Sequence, residues 1–100
     1  MTYARRTDRN HTAVKRALAA CGCSVIDLAG VGKGCADLLV GRCGETYLLE
    51  VKDGRKPPSA RKLTVAQHLL HLRWRGARIH VVTSPDEALK AVGVNEKGQP

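Results

Sequence analysis

The sequence predicts a single α/β domain, a mixed four-stranded sheet with helices against it, in the order α-β-β-β-α-β-α. Three observations predict it. Apolar residues recur at helical spacing in separated segments. Short runs of alternating or continuous apolar residues lie between them and read as strands. Two of those runs flank a glycine-containing turn, which marks a hairpin. The chain has 100 residues, the size of one domain, and no repeat or linker divides it. Residues 1–93 are read as the folded domain and 94–100 as a loose tail.

The first helix is expected over about residues 12–21, where Val14, Ala17, Leu18 and Cys21 follow i, i+3, i+4, i+7 spacing. Asn10 is its expected N-cap and Gly22 its stop. Residues 24–28 read as a strand, followed by the basic, glycine-rich loop 29–34. Residues 36–40 form the second strand, 41–45 the hairpin turn and 46–52 the third strand. Residues 53–62 read as a loop, because the paired Pro57 and Pro58 interrupt both ladders and helices. A second helix is expected over about residues 64–75, ending at Gly76, then a fourth strand over 78–82. Ser84-Pro85-Asp86-Glu87 is a capping box with proline at N1, opening a last helix that ends near Gly93. A helix between strands three and four implies a parallel crossover.

Charge narrows the function. Lys and Arg number 17 against 9 Asp and Glu, a net charge of +8. On so small a domain this points to a polyanionic partner. There is no Phe, and the aromatics are Tyr3, Tyr47 and Trp74. Contact with a phosphate backbone fits this composition better than base stacking. Lys33, Arg55, Lys56, Arg61 and Lys62 lie in the loops and are the candidates for phosphate contact, the alternative being ordinary loop solvation. No apolar stretch reaches the ~20 residues needed to span a bilayer, and no apolar region follows Met1 to Arg6 as in a signal peptide. A cytoplasmic protein with no membrane partner is expected. Its four cysteines, Cys21, Cys23, Cys35 and Cys43, are therefore expected to be reduced. The one-residue gap of Cys21-Gly22-Cys23 does not match common zinc spacing, so small buried thiols are expected.

The candidate chemistry lies on the hairpin. Alternation puts Leu48, Glu50 and Lys52 on one face of the third strand and Tyr47, Leu49 and Val51 on the other. An acid and a base in an apolar strand are costly to bury unless paired or bound to something. Hairpin pairing brings Asp37 towards Glu50. Two carboxylates and a backbone carbonyl suit Mg²⁺, which takes few protein ligands and keeps waters. Such an ion activates water against a phosphodiester, and Lys52 is placed to orient that water or stabilise developing charge. The competing reading is a structural Glu50–Lys52 pair on an exposed sheet face. His68 and His71 lie about one helical turn apart, but with no third ligand nearby they read as a solvated face.

The ordered set resembles the PD-(D/E)XK nuclease superfamily, specifically the virus-type replication-repair nuclease (VRR-NUC) group, from about Asn10 to Gly93. The resemblance rests on Gly34-Cys35-Ala36-Asp37-Leu38-Leu39-Val40, on Glu50-Val51-Lys52, on Gln67 and Gly76 in and after the second helix, and on Ile79 to Val82 and Ser84 to Leu89. It implies a restriction-endonuclease-like core and a metal-dependent DNA endonuclease. Asp37, Glu50 and the Val51 carbonyl would hold Mg²⁺ or Mn²⁺, Lys52 would assist attack and Gln67 would join the site. It also implies kinship with Holliday-junction resolvases, branched DNA as substrate, 5′-phosphate products, no organic cofactor, and a phage or prophage origin in a bacterial host. Two departures stand out. Ala36 replaces the usual proline, and the first helix lacks the glutamate that many relatives carry. Asn10 is the nearest candidate for its place. The rival to catalysis is a non-catalytic nucleic-acid binder on the same scaffold.

The second helix carries two apolar stripes, Val65, Leu69 and Leu72, and Ala66, Leu70 and Trp74. A helix packed once on a sheet needs one. A homodimer is therefore expected, the alternative being that the last helix covers the second stripe.

Overall fold

The structure is a computed structural model that describes residues 9–94. The Met1 to Arg6 segment, Tyr3 and the tail beyond Val94 lie outside the described residues. Helix α1 spans Arg9–Ala20, strand β1 Ser24–Asp27, β2 Leu38–Arg42 and β3 Glu45–Val51. A short 3-10 helix follows at Pro58–Arg61, then α2 at Val65–Arg73, β4 at Ile79–Val82 and α3 at Pro85–Ala91. The four strands lie in the order β1-β2-β3-β4. The β1–β2 and β2–β3 pairs are antiparallel and β3–β4 is parallel, as the crossover reading requires. The α/β class, the element order and the mixed sheet all match the expectation.

The sheet divides the molecule into two layers. On one face Leu38, Val40, Leu49, Val51 and Val82 pack with Val14 and Leu18 of α1 and with Ala88 and Val92 of α3. Val94 joins this core, so packed chain continues one residue beyond the expected boundary at Gly93. The alternate strand residues Leu39 and Leu48 point to the other face, beside Leu70 and Trp74. There α2 is the covering helix, and none of its residues is buried. Helix α3 packs with α1 and β4, on the opposite side from α2, and so covers neither stripe of α2: the Val65, Leu69 and Leu72 stripe is exposed, while Leu70 of the other lies towards the sheet.

Several local expectations need correction. Asn10 is not an N-cap, because α1 already begins at Arg9 and the Asn10 amide bonds elsewhere. Helix α2 ends at Arg73, before Gly76, since Trp74 turns to extended backbone at ψ 126°. Gly76 serves the Trp74 ring instead: a Cβ there would lie 2.8 Å from the indole Nε1. The 53–62 segment is not all loop, since Pro58 opens the 3-10 helix at a position where its missing N–H costs nothing. All four cysteines are free, but only Cys23 is buried. Cys43 is exposed in the hairpin turn, at a φ of 50°.

Candidate active site

The end of the sheet where β3 and β4 finish collects the candidate residues. Asp37 immediately precedes β2. Its N–H donates to Leu49 O at 3.0 Å and its own carbonyl accepts from Leu28 N–H at 2.7 Å. Its Oδ2 accepts from the Val51 N–H at 2.8 Å. A strand residue directs its N–H and C=O to the same side. The Val51 carbonyl therefore faces the Asp37 side of β3, while the N–H and carbonyl of Lys52 face β4. The Lys52 N–H donates to Val82 O at 2.9 Å.

Glu50 is 1% exposed, an unusual place for a carboxylate. Its Oε2 accepts from Gln67 Nε2 at 2.9 Å. Its Oε1 is buried with no hydrogen-bond partner. Lys52 Nζ donates to Gln67 Oε1 at 2.9 Å. Gln67 thus bridges the acid and the base through the two ends of one amide. The same Oε1 accepts from the Thr64 N–H at 2.9 Å, while Thr64 Oγ1 accepts from the Gln67 N–H at 3.1 Å. These last bonds are the capping box of α2. Both donors to Oε1 are nitrogens, so the amide can only present Nε2 to Glu50. The helix start and the bridging geometry are one device. The Thr64-x-x-Gln67 pattern was the sequence signal for it.

Burial raises the Glu50 pKa first, and the neighbouring Asp37 carboxylate adds to this, pushing it up to about 8 against the opposing pull of Lys52. A second carboxylate, Asp27 at the end of β1, shows the reverse. Burial opposes its charge, but Lys15 Nζ at 2.9 Å, the Ala29 N–H at 2.9 Å and His11 Nε2 at 3.0 Å all meet it. Together they hold its pKa well below the usual carboxylate range. Asp27 is a satisfied anchor between α1 and β1; Glu50 is half satisfied. Sequence reading singled out neither Asp27 nor His11, whose partners are distant in the chain.

Asn10 reaches this same end from α1. Its Nδ2 donates to Lys52 O at 2.6 Å and to Thr83 O at 3.0 Å. Both partners are acceptors, so a carboxylate in its place would repel them. Gly34 holds the loop before Asp37 against α2. It has a φ of +82°, and a Cβ there would lie 2.5 Å from Ala66 O. Only glycine fits both conditions.

The loop cations differ among themselves. Arg55 donates to both Asp53 oxygens at 3.1 Å. Lys56 and Lys62 are exposed, as is Lys33. Arg61 is half-buried, with its Nε buried and unpartnered, and so is not an ordinary solvated loop residue. His68 is exposed as expected, but His71 is not: it follows Gln67 by one turn, is half-buried, and its Nε2 is buried without a partner. Burial lowers its pKa first, with His68 and Lys52 adding to the effect. Among the described residues no three His, Cys, Asp or Glu side chains gather as a metal cluster. The oxygen-rich corner consists of two carboxylates and a backbone carbonyl.

No family model matches the chain, and no curated protein does either. Among solved structures, one described as "VRR_NUC domain" is 31% identical, with a TM-score of 0.62, over 84% of this chain and 90% of that one. The identity exceeds what a shared fold alone brings, and the match spans most of both chains. The chain belongs to the VRR-NUC family and has its nuclease fold.

Proposed function

We propose that the chain is a divalent-metal-dependent endonuclease that hydrolyses DNA phosphodiesters, with branched DNA as the substrate. The observation that carries this reading is Glu50: a carboxylate 1% exposed, with one oxygen left unpartnered beside a second carboxylate. Such a group is expensive to keep unless a cation completes it. The donor set fits a hard ion. Asp37, Glu50 and the Val51 carbonyl would hold Mg²⁺ or Mn²⁺, all through oxygen. When bound, such an ion neutralises the phosphate, favours deprotonation of water and stabilises the leaving oxygen.

The chain's own residues do the rest. The Val51 N–H orients Asp37, and Gln67 orients Glu50. Lys52 keeps an ammonium at the site, tethered by one bond to Gln67. Its remaining N–H donors are available to a water or to negative charge developing on the phosphate. Lys33, Arg55, Lys56, Arg61 and Lys62 supply charge for the DNA backbone, in line with the net charge of +8. With Asn10 bonded to backbone carbonyls, two carboxylates remain, which favours one ion over two.

A homodimer is part of this reading. Val65 is 78% exposed, Leu72 68% and Trp74 44%, an apolar surface that α3 does not cover. A two-fold pair would present two sites for paired cuts at a junction. Incubation of labelled linear, flap and four-way-junction DNA with Mg²⁺, Mn²⁺ or EDTA tests the function. Metal-dependent cutting, strongest on branched DNA, is expected. Intact DNA of every form with both metals would leave a non-catalytic binder.

A further inference from the structure

A second cleft opens at the same end of the sheet, between the first turn of α1 and the turn after β3. Its volume is about 460 Å³, and Arg9, Asn10, Asp53, Arg55, Thr83 and Ser84 line it. We propose that this cleft is a phosphate-binding subsite that takes a backbone phosphate of the DNA strand being cut. The inference rests on the DNA-cleaving reading above, and adds Arg9 and a path for the strand.

Charge and preorganisation argue for it. Among the described residues, the lining of the cleft carries two arginines and one aspartate. The aspartate is concealed, the Asp53 side chain being 10% exposed against 68% for Arg55. Asp53 takes the Arg55 guanidinium through both oxygens, and its Oδ1 also accepts the Arg55 N–H at 2.9 Å. Asp53 therefore fixes the orientation of the guanidinium, and a planar fork fixed in advance loses less freedom when it meets a phosphate. Arg9 stands exposed on the facing wall, in the first turn of α1.

Position couples the cleft to the chemistry. Asn10 lines the cleft and bonds to Lys52 O and Thr83 O. The Lys52 backbone carbonyl thus faces the cleft side, while its side chain runs to Gln67 of α2 on the other. A DNA strand crossing the end of the sheet meets the carboxylate corner and this cleft on either side of one residue. The cavity on the α2 face is different. It is lined largely by apolar residues such as Leu28, Leu39, Leu48, Leu70 and Trp74, and offers little to a phosphate.

The alternative is that Arg9 contributes only to the diffuse attraction of a basic protein, and the two predict different interference patterns. The test is fluorescence anisotropy in EDTA with labelled DNA in which single phosphates are replaced, one at a time, by neutral methylphosphonates. Wild type is expected to lose affinity several-fold at one or two phosphates next to the cut. Arg9→Ala should lose that local sensitivity, and its log–log salt slope should fall by about one. Arg78→Ala, an exposed arginine before the opposite end of β4, should keep the local sensitivity. Circular dichroism checks that both variants fold. An unchanged interference profile in Arg9→Ala, or a uniform loss like that of Arg78→Ala, overturns the proposal. Binding in EDTA needs no cleavage. A protein that never cuts but shows the Arg9-dependent profile would sink the nuclease reading and keep the cleft. A cutting protein with an Arg9-independent profile would do the reverse, and absence of DNA binding would remove both.

Discussion

The two faces of the sheet carry different burdens. The face against α1 and α3 is closed and apolar, with Val14, Leu18, Leu38, Val40, Leu49 and Val92 each 0% exposed. The face under α2 holds Glu50, Lys52 and Gln67, an apolar cavity of about 570 Å³, and a helix with no buried residue. Strand β3 serves both, with Leu49 and Val51 on the closed side and Glu50 on the open side. The difference teaches that this domain draws its stability from one layer and keeps the unsatisfied polar groups in the other. Asp27 sharpens the point. It meets three donors and has a lowered pKa, where Glu50 meets one donor, lies against the Asp37 carboxylate and has a raised one.

The largest expected effect is on the open face. Glu50→Gln keeps shape and removes the charge, and cleavage should fall at least about a hundredfold while DNA binding survives. Single-turnover cleavage and anisotropy measure the two separately, and normal cutting would remove Glu50 from the site. On the closed face, Leu18→Ala should cost about 2–5 kcal/mol in urea unfolding, with cleavage per folded molecule unchanged. If Leu18→Ala lowered cleavage by folded protein as strongly as Glu50→Gln, the division between faces would fail.

A smaller effect is on the dependence of stability on pH in EDTA. The Glu50 pKa is raised from 4.5 to about 8, so between those values the folded protein keeps a proton that the unfolded chain has released. Stability should therefore decline as pH rises through that window. The lowered pKa values of His71 and His80, which burial causes first, act in the opposite sense below their ordinary 6.5. Subtracting the profile of Glu50→Gln from that of wild type isolates the carboxylate. The melting-temperature difference between them should change steadily from pH 5 to 8, and a flat difference would mean that Glu50 is ionised throughout.

The smallest effect expected concerns the apolar surface of α2. Wild type should sediment at about twice the 10.8 kDa chain mass at micromolar concentration, and Trp74→Glu should shift it towards monomer. Its monomer stability should change little, because Trp74 is 44% exposed. A wild-type monomer that makes paired cuts in junction DNA would separate the open face from assembly.

Local pattern was enough for the fold class, the element order, the hairpin and the parallel crossover, because periodicity, turn residues and caps are properties of neighbouring residues. It also made Asp37, Glu50 and Lys52 candidates, since a charged pair in an apolar strand is visible without coordinates, though a structural pair would look the same. What only the tertiary structure decided depends on contacts between distant parts of the chain. It turned Asn10 from a cap into a tie on the Lys52 and Thr83 carbonyls, 42 and 73 residues away. It joined Glu50 to Lys52 through Gln67, and half-buried His71 where spacing suggested solvent. It moved Gly76 from a helix stop to a seat for the Trp74 ring, and made Gly34 the close approach between a loop and α2. A sequence records which residues are costly to bury; the packed chain decides which of them find partners, and Glu50 is among those left half satisfied.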